Sequence, residues 1–273
     1  MSDSRPIAVF DSGVGGLSVL KKLLEKLPDE NYIYFGDTAR IPYGEKSKEQ
    51  LISYAREILD WYGSLDVKLA LMACNTSSAT SLDIVKSDYT FEIMGLIYPT
   101  ASYIAENNFK KIGVIATSAT VKSHAYKNAI LKLNPQAEIY ETACPGLVEI
   151  VERGEYNSKK AYEAVKVYIE PLLEQGIEKI VLGCTHYPYL RAVINEVTLN
   201  SEMLIDPAEF MVKSAKNYLD ENNLVNHSQP CNSQFYVSSN PAIFEQTGKI
   251  FLEREIKADL LDTKVYSDSK SLV

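Results

Sequence analysis

Two cysteines occupy matching positions in this sequence, each directly after a hydrophobic stretch and directly before small hydroxyl or amide residues. Cys74 lies in LMACNTSSAT (71–80), and Cys184 lies in VLGCTHYPYL (181–190). Thiols placed in this way could form a disulfide, hold a metal, act as a redox pair, pack as buried structural residues or serve as catalytic acids and bases. Other features of the chain separate these alternatives.

The cysteine and histidine content weakens the disulfide and metal interpretations. The chain has 273 residues, with four widely spaced cysteines, three histidines and no CxxC pair, whereas structural zinc sites use closely spaced ligands. The N-terminus lacks the basic start and long apolar stretch of a secretory signal, so we expect a cytoplasmic protein with reduced thiols. The sequence therefore favours catalytic thiols or buried structural ones.

The charge balance limits the class of partner. The formal net charge is −8, which argues against a broad surface for nucleic acid or an anionic membrane. No apolar run approaches the roughly 18 residues of a membrane span. We therefore expect neither a nucleic-acid partner nor a membrane partner, while a small acidic substrate in one pocket stays compatible with the charge.

Alternating strand and helix patterns place both cysteines at the carboxyl ends of predicted strands. The strands are predicted at 7–10, 31–37, 67–74 and 92–97 in a first series, at 110–117, 137–142, 178–184 and 202–206 in a second, and at 234–239. Helical stretches separate them, as at 16–27 and 48–65. This alternation predicts an α/β fold with mainly parallel sheets and right-handed crossovers.

The two series of elements match each other. Asp11 and Cys74 end two strands of the first series, and Thr117 and Cys184 end two strands of the second at a nearly equal separation. This correspondence predicts two similar α/β units that face each other. Because ligands of open α/β sheets bind beyond the carboxyl ends of the strands, both thiols could line one cleft.

The local setting of each cysteine bears on its chemistry. A cysteine directly before a helix has its thiolate favoured by the helix dipole, so we expect a lowered pKa at these positions. Either cysteine alone would be read as a buried structural residue. Their equivalent placement favours a catalytic pair.

Three further motifs surround these strand ends. The turn DSGVGGLSV (11–19) offers backbone amides to an anion, and its aspartate is either a helix cap or a carboxylate serving a ligand or a thiol. The stretch GDTARIPYGEKS (36–47) reads as a loop, and spacing alone favours a plain surface turn. His186 could orient the Cys184 thiol, or it could be a capping residue.

Five ordered motifs together resemble the glutamate racemases of the cofactor-independent aspartate/glutamate racemase superfamily. These motifs are AVFDSGVGGLSVL, YFGDTARIPYG, ACNTSSA, CPGLVEIVERG and VLGCTHYPYL, spanning residues 8–190. The resemblance implies two α/β domains related by pseudo-twofold symmetry, with the active site in the cleft between them. It implies a discontinuous first domain (1–98 and 207–273) and a second domain (99–206).

The resemblance also implies an activity, the interconversion of L- and D-glutamate, which supplies D-glutamate for bacterial peptidoglycan. By this resemblance Cys74 and Cys184 are the two acid/base thiols, and neither pyridoxal phosphate nor a metal is needed. Asp11 is implied to assist the first thiol, and Glu152 and His186 the second. The implied substrate contacts are Asp11, Ser12, Tyr43, Gly44, Asn75, Thr76, Thr117, Thr185 and His186.

Some assignments stay open at this point. Glu149 stands where the family usually has an apolar residue, so either Glu149 or Glu152 could act near the site, and Glu152 fits the motif better. Cys144 is left as a structural residue. Members of the family often form homodimers, but the sequence carries no interface pattern. The alternative functions are an aspartate racemase, a single-thiol Cys–His acyl-transfer enzyme using Cys184 and His186, and a non-enzymatic binding protein for small anions.

Overall fold

A computed structural model describes residues 2–228 and 231–263. Its strands, in chain order, are β1 (Ile7–Asp11), β2 (Tyr32–Gly36), β3 (Leu69–Met72), β4 (Glu92–Gly95), β5 (Lys111–Ala116), β6 (Glu138–Ala143), β7 (Lys179–Gly183), β8 (Leu204–Ile205), β9 (Ser233–Val237) and β10 (Ala258–Leu260). Residues 1, 229–230 and 264–273, all of which fall in the expected first domain, lie outside the described residues.

Helices alternate with these strands along most of the chain. They are α1 (Leu17–Lys26), α2 (Lys48–Gly63), α3 (Asn75–Thr80), α4 (Leu82–Val85), α5 (Ile97–Glu106), α6 (Ser118–Ser123), α7 (Ala125–Leu133), α8 (Leu147–Glu152), α9 (Lys159–Glu174), α10 (Arg191–Thr198), α11 (Pro207–Glu221) and α12 (Pro241–Leu252). None of the helices in the described part of the chain combines the length and the apolar character that crossing a membrane requires.

The strands form two parallel sheets that repeat one topology. The first sheet has the order β10-β9-β2-β1-β3-β4, and the second has the order β6-β5-β7-β8. All the strand pairs described are parallel. Within each sheet four strands follow the same order, with the first strand of the series between the second and the third. This repeat confirms the prediction of two similar α/β units with parallel sheets.

The central strands are apolar runs without alternation, as expected for strands that helices cover on both faces. β1 (IAVFD) and β3 (LALM) are buried at every position. Helix α2 begins at a capping box, in which the Ser47 side chain accepts from the Gln50 N–H and the Gln50 side chain accepts from the Ser47 N–H. Such caps fix where the chain turns from strand to helix, and so fix the loops at the strand ends.

The last part of the chain returns to the first sheet. β9 pairs with β2, and β10 pairs with β9 at the edge, while α11 packs against α1 and α5. The sequence patterns missed β10, because three residues are too few to carry a period. Helix α5 also crosses the expected boundary at residues 98 and 99. The exact limits of the two domains therefore stay a proposal.

Candidate active site

A cavity of about 210 Å³ lies where the carboxyl ends of the two sheets face each other. The strand order reverses between β1 and β3 in the first sheet and between β5 and β7 in the second. Ligands of α/β folds bind at such reversals. All the predicted site residues except Asp11 line this cavity: Ser12, Tyr43, Gly44, Cys74, Asn75, Thr76, Thr117, Glu152, Cys184, Thr185 and His186. One cavity thus brings together side chains that lie far apart in the sequence.

Cys74 follows β3 and occupies the capping position of helix α3, with 4% of its surface exposed. Burial, with the negative charge of Asp11 acting in the same direction, raises the pKa of its thiol to about 12. The expectation of a lowered pKa is therefore wrong for Cys74. Loss of hydration outweighs the donors at the start of this short helix, so Cys74 is a protonated thiol at neutral pH.

Cys184 follows β7 and contacts a histidine. Its Sγ lies 3.7 Å from His186 Nδ1, and Glu152 Oε1 lies 3.3 Å from His186 Nε2 as an ion-pair contact without hydrogen-bond geometry. Burial alone would lower the pKa of His186, but contacts with Cys184 and Glu152 and the charge of Asp11 raise it to about 10. His186 is therefore an imidazolium at neutral pH, and it places a positive charge beside the Cys184 sulfur.

The two thiols consequently have opposite electrostatic surroundings. Asp11 acts on Cys74 as a negative charge, whereas His186 lies beside Cys184 as a positive charge. All four cysteines of the chain are free, so Cys74 and Cys184 are not joined to each other. A two-base proton transfer needs two acid/base groups in different protonation states, and the opposite charges beside these two sulfurs suit that requirement.

Asp11 is fully buried beneath the cavity wall and does not line the cavity. Its Oδ2 accepts from the backbone N–H groups of Gly13 and Gly16, each at 3.0 Å, and its Oδ1 accepts from the Thr185 hydroxyl at 3.4 Å. Burial raises the pKa of Asp11, while the charge of His186 and the backbone donors oppose this change. Asp11 thus holds the glycine-rich turn and links it to the strand end that carries Cys184.

The glycine-rich turn touches the second unit directly. A Cβ atom on Gly15 would lie 2.5 Å from both Thr185 Oγ1 and His186 Cε1, so only glycine allows this approach. The Ser18 hydroxyl donates to the Thr185 carbonyl at 3.1 Å. The turn therefore braces the segment that carries Cys184 and His186.

The loop after β2 supplies Tyr43 and Gly44, and it is not a plain surface turn. Tyr43 is buried and its hydroxyl donates to Asp37, which pairs with Arg40 at 3.0 Å. A Cβ on Gly44 would lie 3.0 Å from Thr117 Cβ. The loop is therefore anchored within the first unit and presses its backbone against the second.

Hydroxyl and amide side chains join the two units along the cavity. The Thr76 and Thr117 hydroxyls are 2.9 Å apart, and the Thr117 and Thr120 hydroxyls are 3.0 Å apart. The Tyr126 hydroxyl donates to Asn75 Oδ1 at 2.5 Å. With its oxygen occupied, the amide of Asn75 has its N–H donors left for a ligand in the cavity.

Sequence reasoning missed several residues of the cavity wall. Cys144, which the sequence left as a structural residue, lines the cavity, and burial raises the pKa of its thiol to about 12. Glu149 also lines the cavity, but Glu152 is the carboxylate that meets His186. Cys144, Glu149 and Glu152 all belong to the motif CPGLVEIVERG. No spacing rule identified the turn at the start of this motif as part of the site. The other missed residues are Ile41, Pro42, Glu45, Ser118, Pro145, Gly146 and Val148.

No group of three or more His, Cys, Asp or Glu side chains in the described ranges is arranged to hold a metal ion. What the cavity does offer is three thiols, two of them at equivalent strand ends, an imidazolium and a ring of hydroxyl and amide groups. These groups suit proton transfer at a small molecule that carries carboxylates.

Two parallel α/β units, each with one thiol at an equivalent strand end, are typical of an enzyme that moves protons with a pair of cysteines. Comparisons with known proteins agree with this class. The profile of the Asp/Glu/Hydantoin racemase family matches residues 7–215, and the chain belongs to that family. It is 44% identical over 259 residues to the glutamate racemase of Picosynechococcus sp., covering 95% of this chain and 92% of that protein.

Solved structures give the same result. The glutamate racemase of Francisella tularensis in complex with D-glutamate superposes with a TM-score of 0.92 at 36% identity, covering 97% of this chain and 100% of that one. The Escherichia coli glutamate racemase in complex with L-glutamate and the activator UDP-MurNAc-Ala gives a TM-score of 0.75 at 26% identity, covering 93% of this chain and 97% of that one.

Proposed function

We propose that this protein interconverts L-glutamate and D-glutamate by acid/base catalysis with two thiols. The observation that carries the proposal is that Cys74 and Cys184, unpaired and at the ends of the equivalent strands β3 and β7, line one cavity between the sheets. The names of the relatives and the bound D- and L-glutamate of two solved structures support the same substrate.

The reaction inverts Cα, so a proton leaves one face of the substrate and another arrives on the opposite face. In the direction from L-glutamate, the Cys184 thiolate removes the Cα proton and the Cys74 thiol donates its own proton to the other face. The product is D-glutamate, with Cys184 now a thiol and Cys74 a thiolate. The reverse direction exchanges these roles, because the two thiols together carry one proton in either state.

The surrounding residues have two kinds of role in this proposal. Asp11 biases Cys74 towards the thiol, while His186, with Glu152 behind it, biases Cys184 towards the thiolate. The remaining groups hold the carboxylates of the substrate and stabilise the negative charge that develops as Cα loses its proton. These substrate-holding residues are Ser12, Tyr43, Gly44, Asn75, Thr76, Thr117 and Thr185.

The experiment that tests this proposal is a racemisation assay on each enantiomer of glutamate, and in parallel of aspartate, with purified protein and no added cofactor. We expect turnover of both L-glutamate and D-glutamate, and little turnover of either enantiomer of aspartate. A preference for aspartate would favour the aspartate racemase alternative. Failure to turn over either amino acid, with glutamate binding intact, would favour a binding protein.

Single cysteine variants separate the two-thiol proposal from a single-thiol acyl-transfer enzyme. We expect Cys74→Ala and Cys184→Ala each to lower racemisation by at least about 10²-fold, because one face of Cα loses its proton carrier. Cys231→Ala is the matched control, because Cys231 lies outside the cavity wall. A Cys74→Ala protein that keeps most of its turnover, or a trapped acyl–Cys184 adduct, would contradict the proposal.

The wider setting follows from the activity proposed. D-glutamate is a component of bacterial peptidoglycan, so the family resemblance assigns the product to cell-wall synthesis. Four free cysteines fit the reducing conditions of a cytoplasm, where we propose that the protein acts. The homodimer that family members often form is carried over as a proposal, and sedimentation equilibrium of the purified protein tests it.

A further inference from the structure

The side chain of Ser77 is the unexplained polar group beside the reacting sulfur of Cys74. Ser77 lies in the first turn of α3 and is 1% exposed. Within residues 2–228 and 231–263 its hydroxyl has no hydrogen-bond partner. A buried hydroxyl without a partner destabilises the folded protein, so its presence calls for a reason outside the resting structure.

The other hydroxyl groups of α3 are satisfied. Ser78 Oγ donates to the Met72 carbonyl at 2.9 Å and accepts from the Leu96 N–H at 3.3 Å. Thr76 Oγ1 contacts the Thr117 hydroxyl at 2.9 Å, and Thr80 Oγ1 donates to the Thr76 carbonyl at 2.8 Å. Helix α3 therefore does not leave hydroxyls unpaired in general, and Ser77 is a specific case.

Ser77 occupies the position of α3 that faces the capping residue, Cys74. Cys74 caps α3, and Ser77 is three residues further on, which is the position whose N–H points towards the side chain of a capping residue. No hydrogen bond of full geometry joins Ser77 to the sulfur, but its N–H and hydroxyl lower the pKa of Cys74, against the larger effects of burial and Asp11. A neutral thiol is a weak acceptor and a thiolate is a strong one, so this contact strengthens only when Cys74 ionises.

We infer that Ser77 is the donor that stabilises the Cys74 thiolate during turnover. The inference rests on the proposed function. When Cys74 gives its proton to Cα of the substrate, the S–H bond breaks, a C–H bond forms and negative charge moves to Sγ, where the Ser77 O–H donates a hydrogen bond. In the resting thiol state the hydroxyl has no other acceptor, so no hydrogen bond has to break before it donates to Sγ.

The test compares Ser77→Ala with Ser78→Ala in the full-length protein. The rate of Cys74 alkylation by iodoacetamide at a fixed pH well below its pKa is proportional to the thiolate fraction, and peptide mass spectrometry reads each cysteine separately. We expect Ser77→Ala to slow Cys74 alkylation about tenfold, with Cys231 unchanged. We expect its melting temperature to stay the same or rise, because the lost hydroxyl had no partner.

Ser78→Ala should give the opposite pattern, with a lower melting temperature and an unchanged rate of Cys74 alkylation. The threonine of Ser77→Thr and the valine of Ser77→Val have nearly the same shape, but only threonine carries a hydroxyl. This pair therefore isolates the hydrogen bond if the alanine variant folds poorly. We expect the threonine variant alone to keep the Cys74 alkylation rate near that of the wild type. Equal rates in the threonine and valine variants would overturn the inference.

Racemisation separates this inference from the proposed function. Because the enantiomers have equal free energy, kcat/KM must be the same in both directions, and we expect Ser77→Ala to lower it about tenfold in each. If the wild type does not racemise glutamate, the proposed function fails whatever Ser77 does to the thiol. If the wild type is active and Ser77→Ala keeps both its turnover and its Cys74 alkylation rate, only the role of Ser77 is wrong.

Discussion

His186 and Asp11 act on the two thiols with opposite charge. Cys184 has an imidazolium at 3.7 Å, and Cys74 is buried under the influence of a carboxylate. The sequence placed both cysteines at equivalent strand ends, while the roles of both neighbours were implied only by the family resemblance. The raised pKa of Cys74 was not predictable from those motifs, since it depends on how completely folding removes the sulfur from water.

The charge of His186 predicts how stability depends on pH. Its pKa is raised from 6.5 to about 10, so the stabilisation that its protonated form gives is fully present below pH 6.5 and is lost as pH rises through about 10. We expect the difference in free energy of unfolding between the wild type and His186→Asn to be largest at the acid end of this interval. Urea unfolding at several pH values measures it. A difference that grows towards alkaline pH would contradict the proposed charge state.

At the scale of elements, the catalytic groups are fixed by strand–turn–helix units. Hydrophobic runs and glycine-rich turns located β1, β3, β5 and β7 from the sequence, and with them the strand ends that carry the site. A helix is expected directly after Cys74, but the sequence pattern indicates no bounds for α3 (NTSSAT) or for the other short helices, because six mostly polar residues show no helical period. Their positions follow from packing between the units.

The close approach of the glycine-rich turn predicts different outcomes for two neighbouring glycines. Gly15→Ala should destabilise the fold by about 1–3 kcal/mol and lower racemisation, because its Cβ would lie 2.5 Å from Thr185 and His186. Gly13→Ala is the control, with a new contact of only 3.8 Å to Ile41, and we expect a change within about 0.5 kcal/mol. Urea unfolding with steady-state kinetics measures both. Equal effects of the two substitutions would show that the turn does not brace the second unit.

At the scale of the whole molecule, one hydrophobic cluster spans both α/β units, beside further clusters such as the one around Trp61. A single cluster of buried side chains includes Val9 and Leu71 from the first sheet and Ile180 and Leu182 from the second. The duplication was visible in the sequence as two series of matching strand ends. The shared core was not, because contacts between helices such as α5 and α11 arise from tertiary packing rather than from local patterns.

The shared core predicts that the protein unfolds in one cooperative transition. Trp61 is the only tryptophan of the chain, and it is buried in the first unit against Phe35 and Tyr62. Its fluorescence reports the first unit, whereas far-ultraviolet circular dichroism reports the helices of both units. We expect the same urea midpoint from both probes. A fluorescence transition clearly separated from the dichroism transition would mean that the units unfold independently.

The central claim is that each face of Cα has its own thiol, Cys184 on one side and Cys74 on the other. In heavy water the thiol that donates to the product carries solvent deuterium when catalysis begins, while the thiol that takes the substrate proton holds it on the original face. Early-time mass spectrometry of the separated enantiomers, starting from each one in turn, should therefore find deuterium at Cα of the product and a largely protiated remaining substrate in both directions. Early deuterium in the recovered substrate comparable to that in the product, or transfer of the original proton to the product, would contradict two separate bases.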